Sequence, residues 1–110
     1  MTSNRSAEEL YRRQRTNVTW NGDVMCLDYR GVMIVDRSEV MKLAQLLRPQ
    51  QARRVRINLR NVVSLPPGFF GQLWDGVKRG ISIRLVNATS EVQAMRWYQQ
   101  FVNEDEELRI

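Results

Sequence analysis

The sequence contains no histidine, and this absence removes a large class of chemistry. Without imidazole, the 110 residues can form neither the familiar hydrolytic triads nor most zinc sites. Asp, Glu, Lys and Tyr side chains are present, but they form no converging set along the chain. We therefore predict a protein that is not an enzyme and that has no catalytic residue, no metal site and no cofactor.

Cysteine and long apolar runs are also scarce. Cys26 is the single cysteine, so no disulfide can form within the chain, and we predict that it is a small buried apolar side chain. The longest strictly apolar runs have about four residues, as at positions 32 to 35. This pattern predicts neither a membrane span nor a signal peptide, and a cytoplasmic location is the simplest expectation.

Negative charge is scarce except near the C-terminal end. The net charge is +5, and residues 104 to 107 hold four of the 12 acids. Without those four acids and Arg109, residues 1 to 102 carry 16 cations and 8 anions, a net charge of +8. We divide the chain into a flexible basic arm (residues 1–16, with Arg12, Arg13 and Arg15), a single domain (17–102) and an acidic tail (103–110).

Alternating hydrophobicity and turn signals predict four strands. Asn21-Gly22 lies between two runs rich in β-forming residues, at positions 18 to 20 and 24 to 29, and predicts a hairpin with a type I′ turn. Trp20, at the turn end of this hairpin, is predicted to join the core. Apolar and polar residues alternate at positions 54 to 60 and again at 81 to 85, which predicts two further strands.

Three other segments have the spacing of helices. Asp36 and Glu39 form a capping box before an apolar stripe that Pro49 ends. A second helix is predicted over residues 70 to 79, and Ser90 is the predicted cap of a third. The order is β-β-α-β-α-β-α. It predicts an α/β domain with a mixed four-stranded sheet, in which the first strand is antiparallel at an edge.

The arginines of the third strand indicate which face of the sheet is covered. Val55, Ile57 and Leu59 point to one face, and the intervening polar residues point to the other. Burying several arginines would cost roughly several kcal/mol for each unpaired charge. We therefore predict helices on one face and an open second face. The possible contacts there for an anion or a nucleic acid are Arg54, Arg56, Arg60 and Arg84.

The loop at residues 65 to 70, Leu-Pro-Pro-Gly-Phe-Phe, joins the third strand to the second helix. Backbone N–H groups and the helix dipole favour an anion at such a position. Two prolines hold the loop rigid, and Pro67 or Gly68 begins the helix. Because we do not expect Phe69 and Phe70 both to face the core, we interpret the loop as a partner-facing surface. A plain stiff turn is the alternative.

The order of elements and the residues from 55 to 102 resemble the STAS domain family, which is typified by bacterial anti-sigma factor antagonists. The resemblance covers about residues 17 to 102 and implies a regulatory domain that docks a protein partner such as an anti-sigma factor, a kinase-like protein or another regulator. The matching residues are Ile57-Asn58-Leu59, Asn61-Val62, Pro66-Pro67-Gly68-Phe69-Phe70-Gly71, Lys78-Arg79-Gly80, Leu85-Val86-Asn87 and Ser90-Glu91-Val92, with Gly22-Asp23-Val24 and Tyr29-Arg30-Gly31 in the opening hairpin.

The chain departs from this family at its regulatory site. The family is switched by phosphorylation of a Ser or Thr beside an Asp at the helix start, and here Pro66, Pro67 and Gly68 occupy those positions. Ser64 is the nearest hydroxyl, but it precedes both prolines. The resemblance therefore implies docking without a phospho-switch. The predicted partner-binding residues are Ser64, Pro66, Pro67, Gly68, Phe69 and Phe70.

Two other functions are left open by the residues. Nucleic acid could bind the open-face arginines and the basic arm, although a sheet that binds RNA should also offer aromatic side chains for stacking, and the arginine-bearing strands have none. The chain could also form a homo-oligomer, because an open sheet face or edge can pair with a copy of itself. In that case the acidic tail would neutralise a neighbour's arginines.

Overall fold

Among the described residues, four strands form one mixed sheet, and they lie side by side in sequence order. The structure, a computed structural model, describes residues 17–29 and 31–108, and for 103–108 it describes the backbone. β1 (Asn17–Asn21) and β2 (Val24–Asp28) pair antiparallel, and β3 (Arg54–Asn58) and β4 (Ser82–Val86) continue the sheet in parallel. The predicted α/β class, the order of elements and the mixed sheet are confirmed.

In the described part of the chain, four helices connect and follow these strands. They are α1 (Arg37–Leu46), α2 (Pro67–Lys78), α3 (Ser90–Gln93) and α4 (Arg96–Leu108). α1 begins as predicted, because the carboxylate of Asp36 accepts a hydrogen bond of 3.0 Å from the backbone N–H of Glu39. α2 begins at Pro67, where the missing N–H is no loss and the fixed φ angle suits a helix.

The third predicted helix is divided into two, and its cap is Thr89 rather than Ser90. The hydroxyl of Thr89 accepts a hydrogen bond of 3.3 Å from the N–H of Val92 and donates one of 2.6 Å to the carbonyl of Val62. Thr89 thus fixes the start of α3 to the loop after β3. The side-chain amide of Gln99 donates to the carbonyl of Gln93, which satisfies a group at the end of α3.

The hairpin is confirmed, but its turn differs from the predicted type I′. Asn21 pairs with Val24, so the two turn residues are Gly22 and Asp23. Gly22 has a φ of 62°, whereas Asp23 has no positive φ. A positive φ at the first turn residue alone is typical of type II′, which also suits the twist of a hairpin. The prediction that Trp20 joins the core is wrong, since 53% of this residue is exposed.

Helices cover one face of the sheet, as the alternation in β3 predicted. On the covered face Val55, Ile57 and Ile83 are at most 2% exposed, whereas Arg54, Arg56 and Arg84 on the other face are exposed. Cys26 also lies on the open face, where it is a free, half-buried cysteine rather than a fully buried one. The core therefore lies between the sheet and the helices, which leaves the opposite face free to present charge.

The two predicted tails differ in how far the structure describes them. The backbone of α4 continues to Leu108, so the helix runs through most of the segment predicted as an acidic tail. The basic arm with Arg12, Arg13 and Arg15 lies outside the described residues. No helix in the described part of the chain is long and apolar enough to cross a membrane.

Candidate functional site

Two loops join at the carboxyl ends of β2 and β3 through their backbones. Ile34 and Ser64 form an isolated parallel bridge between these loops. The carbonyl of Met33 accepts hydrogen bonds from the N–H groups of Val63 (2.8 Å) and Ser64 (3.2 Å), and the N–H of Val35 donates to the carbonyl of Ser64 (3.1 Å). These bonds tie the two loops into one unit. Its surface, which we call the paired-loop surface, consists of Met33, Ile34, Ser64, Pro66, Pro67 and Gly68.

The paired-loop surface exposes two adjacent large apolar side chains. Met33 is 62% exposed and Ile34 is 61% exposed, while their neighbours Val32 and Val35 are buried. Sequence reasoning missed both residues, because positions 32 to 35 form a continuous apolar run. Gly31 was the available signal: its φ of 78° turns the chain after β2, so the run does not continue the strand. The site therefore includes two residues that the pattern did not assign to it.

Four of the six predicted partner-binding residues reach this surface. Ser64, Pro67 and Gly68 are exposed, and Pro66 is half-buried. The backbone pairing places Ser64 beside Met33 and Ile34, and Pro66, Pro67 and Gly68 follow Ser64 within four residues of the chain.

The other two predicted residues, Phe69 and Phe70, lie beneath the surface. Both are 0% exposed, so the expectation that they do not both face the core is wrong. Their rings meet edge to face at 5.5 Å, and Phe69 makes a similar contact with Tyr29 at 6.0 Å. Their side chains support the loop from below and offer no surface to a partner.

Tyr29 completes this support at the end of β2. Burial raises the pKa of its hydroxyl well above the ordinary value of 10.0, and the negative charge of Glu39 raises this pKa further. Glu39 is itself only 6% exposed, in the first turn of α1. The tyrosine hydroxyl therefore stays neutral throughout the physiological range, and the aromatic support carries no titrating charge there.

The start of α2 is poorly equipped to bind an anion. Pro66 occupies the capping position and makes no side-chain capping bond, and Pro67 has no N–H to offer. The N–H of Phe69 is used internally, since it donates to the carbonyl of Pro66 at 3.0 Å. A typical helix start leaves about four N–H groups for other partners. This one leaves fewer, so its geometry favours contact by shape over capture of phosphate.

A second candidate region lies on the open face of the sheet. Arg56 stands opposite Arg84 in the β3–β4 register, and Arg54 stands opposite Ser82. With Val24, these residues line a shallow cavity of about 430 Å³. Arg60 is exposed too, but it follows the end of β3 and does not line this cavity. The structure thus brings three of the four predicted arginines together, and we call Arg54, Arg56 and Arg84 the arginine face.

The open face lacks the aromatic platforms expected of a nucleic-acid-binding sheet. The register places Trp20 in one row with Met25, Val55 and Ile83, which is on the covered side. The described open-face positions hold no aromatic residue; they are Asn17, Thr19, Asn21, Val24, Cys26, Asp28, Arg54, Arg56, Asn58, Ser82, Arg84 and Val86. The chemistry of this face suits ionic contact with an anion and offers no stacking to bases.

The described residues show no metal centre, and neither family models nor curated proteins match the sequence. Within that part of the chain, no group of three or more Cys, Asp or Glu side chains is placed to hold a metal ion. The candidate sites are therefore defined by the geometry of this chain itself.

Proposed function

We propose that this chain is a non-enzymatic protein-interaction module, similar to an anti-sigma factor antagonist of the STAS family. It docks a regulatory protein, such as an anti-sigma factor or a kinase-like protein, through the paired-loop surface. The helix start at Pro67 lacks a hydroxyl at the positions where that family is phosphorylated. Phosphorylation at residues 66 to 68 therefore cannot switch docking off.

The observation that carries this proposal is the exposure of Met33 and Ile34 beside the predicted docking loop. Each is more than 60% exposed, and backbone hydrogen bonds hold both next to Ser64. Adjacent exposed apolar side chains on a backbone fixed by hydrogen bonds are suited to protein contact, since little conformational freedom is lost on binding.

The loop after β3 and the first turns of α2 lack charged side chains, which also supports contact with a protein. Residues 61 to 74 contain no charged side chain, although the chain as a whole carries 29 charged residues among 110. The buried centres of protein interfaces are typically depleted of charge. A partner surface that is apolar and neutral at its centre fits this loop, with Met33 and Ile34 as the side chains that it covers.

Replacing Gly68 by Asp tests this proposal without damaging the fold. A Cβ at this position would lie 3.6 Å from Cγ1 of Val40, an ordinary contact. A carboxylate in the first turn of α2 should raise the free energy of unfolding by about 0.3–1 kcal/mol, because it complements the helix dipole. The same charge should weaken binding of the native partner, which is measured by pulldown and then by titration with the purified proteins.

Gly68→Ala is the matched control, because it adds the Cβ without the charge. We expect the alanine variant to bind as the wild type does, while the aspartate variant is folded, slightly more stable and weaker in binding. Undiminished binding of the native partner by Gly68→Asp would rule out docking through this loop.

A second candidate function is the binding of a polyanion such as nucleic acid by the arginine face. One observation favours it: Arg56 and Arg84 are held directly opposite each other, with Arg54 beside them, around a shallow cavity. Like charges at such short range repel, and a bound anion would relieve that repulsion. The lack of aromatic side chains on this face makes it the weaker of the two candidates.

A further inference from the structure

β1 is the least covered strand of the sheet. All five of its residues are exposed, whereas each of the other strands has at least one buried residue. Val18 and Trp20 point to the side that helices cover over β2 to β4, yet they are 37% and 53% exposed. The described helices therefore do not extend over β1, and this strand presents an apolar surface as well as an edge.

The outer edge of β1 has no partner strand among the described residues. In an antiparallel hairpin with a two-residue turn, the residues that flank the turn direct their hydrogen-bonding groups at each other. Asn21 and Val24 are those residues, so Asn17 and Thr19 also direct their groups towards β2. The N–H and C=O groups of Val18 and Trp20 are left on the outer edge.

Charge distinguishes this edge from the other edge of the sheet. The sequence of β1, Asn-Val-Thr-Trp-Asn, has no charged side chain and no proline, so it lacks two common devices that prevent edge pairing. β4 has Arg84 at its centre. Two β4 strands paired antiparallel about their centres would place two arginines opposite each other, which is unfavourable. A chain of net charge +5 can therefore approach its copy at β1 rather than at β4.

The sequence of β1 is also complementary to itself. An antiparallel pair centred on Thr19 places Val18 opposite Trp20 of the other strand, Thr19 opposite Thr19, and Asn17 opposite Asn21. Pairs of an aromatic with a β-branched residue and pairs of threonines are favourable across strands. In this register the outward groups of Val18 and Trp20 face each other, which is the arrangement that exchanges hydrogen bonds.

We propose that the chain forms a two-fold symmetric dimer in which β1 pairs with β1 of a second copy. The two sheets then join into one continuous sheet of eight strands, and Val18 and Trp20 of both copies form one apolar cluster on the helix side. A two-fold axis perpendicular to the sheet reverses the strand direction but leaves the same face of each sheet on the same side of the dimer. The two arginine faces therefore lie on the same side, and the two paired-loop surfaces lie at opposite ends.

A charge-pairing experiment at Thr19 tests this dimer. Sedimentation or light scattering of the full wild-type chain should give twice the 13.0 kDa mass of one chain. Thr19→Lys or Thr19→Asp alone should each give a monomer, because like charges meet at the symmetry axis. Mixing the two variants should restore the dimer mass, since lysine then faces aspartate, and this rescue also shows that both variants are folded.

Two control variants separate the dimer from docking at the paired-loop surface and from pairing at the other sheet edge. Ser82→Lys places the same charge on the other edge strand and should keep the dimer mass, and Gly68→Asp should keep it as well. A wild-type chain of monomer mass would overturn the proposal, including the case in which residues 1 to 16 cover β1. Dimer mass in either single Thr19 variant, or no rescue on mixing, would overturn it too.

Discussion

The paired-loop surface lies beyond the strand ends and the arginine face lies on the open side of the same sheet, and the two offer opposite kinds of contact. At the carboxyl ends of β2 and β3, Met33 and Ile34 present apolar surface that is held in place by backbone hydrogen bonds. On the open face, Arg54, Arg56 and Arg84 present charge that is aligned by strand register. Apolar contact acts at short range and depends little on salt, whereas attraction between exposed charges is screened by it. Ionic strength therefore distinguishes the two surfaces.

The two regions also differ in what lies beneath them. Phe69, Phe70 and Tyr29, each at most 1% exposed, support the paired loops. The arginines project from strands whose opposite side already packs in the core, so their own side chains contribute little to the fold. A large change in stability should therefore follow substitution below the loops, and a change in binding alone should follow substitution of an arginine.

The largest expected effect is on stability. Phe69→Ala should lower the free energy of unfolding by about 3–5 kcal/mol, because it leaves a cavity under the paired loops. Arg56→Ala, as the matched control on the exposed face, should change it by no more than about 0.5 kcal/mol. Unfolding in urea measures both free energies. Similar losses of stability in the two variants would contradict the view that Phe69 supports the paired loops whereas Arg56 contributes little to the fold.

The next effect is on partner binding. Ile34→Asp should weaken binding of the protein partner by about 2 kcal/mol, which is roughly a 30-fold increase in Kd, because it places a carboxylate where apolar contact is expected. Arg56→Asp should leave that Kd unchanged. Titration calorimetry with the purified partner measures both variants. Weaker binding by Arg56→Asp than by Ile34→Asp would assign the partner to the arginine face.

The smallest effect is on salt dependence. If single-stranded nucleic acid contacts the arginine face, replacing Arg54, Arg56 and Arg84 by alanine should reduce the slope of log K against log salt by about 2. Each doubling of the salt concentration would then weaken wild-type binding about fourfold more than variant binding. Fluorescence anisotropy with a random oligonucleotide gives the slopes, and Ile34→Asp should keep the wild-type slope. Equal slopes for the wild type and the triple variant would exclude the arginine face as the site that contacts nucleic acid.

Much of the architecture could be predicted because local signals agreed with the fold. The alternation around Val55 and Ile57 indicated both the strand and its open face, and Asp36 marked the start of α1. The position of the loop at residues 65 to 70 could also be predicted, since two prolines before a helical repeat leave few alternatives.

The burial of Phe69 and Phe70 could not be predicted from helical spacing, which describes one apolar stripe. α2 packs against α1 and α4 as well as against the sheet, so it is covered from more than one side. Gly76 shows how close this packing is, because a Cβ there would lie 3.1 Å from Cδ1 of Ile83. Neighbouring residues can both be buried in such a helix, whereas spacing alone assigns one of them to the surface.

The exposure of Trp20 depends on how far the helices extend over the sheet. That distance is set by tertiary packing, and no local pattern encodes it. An apolar residue beside the last covered strand is therefore predicted as core by its type and found at the surface by its position.

The two hydrogen bonds that converge on the carbonyl of Met33 also limit how this surface can evolve. An insertion or deletion in either loop would move Met33 out of register with Val63 and Ser64 and break both bonds. Substitutions at positions 33 and 34 leave that backbone frame in place, because both side chains project into solvent. New partner specificities would therefore arise by exchange of side chains on loops of fixed length, and descendants of this chain should align here without gaps.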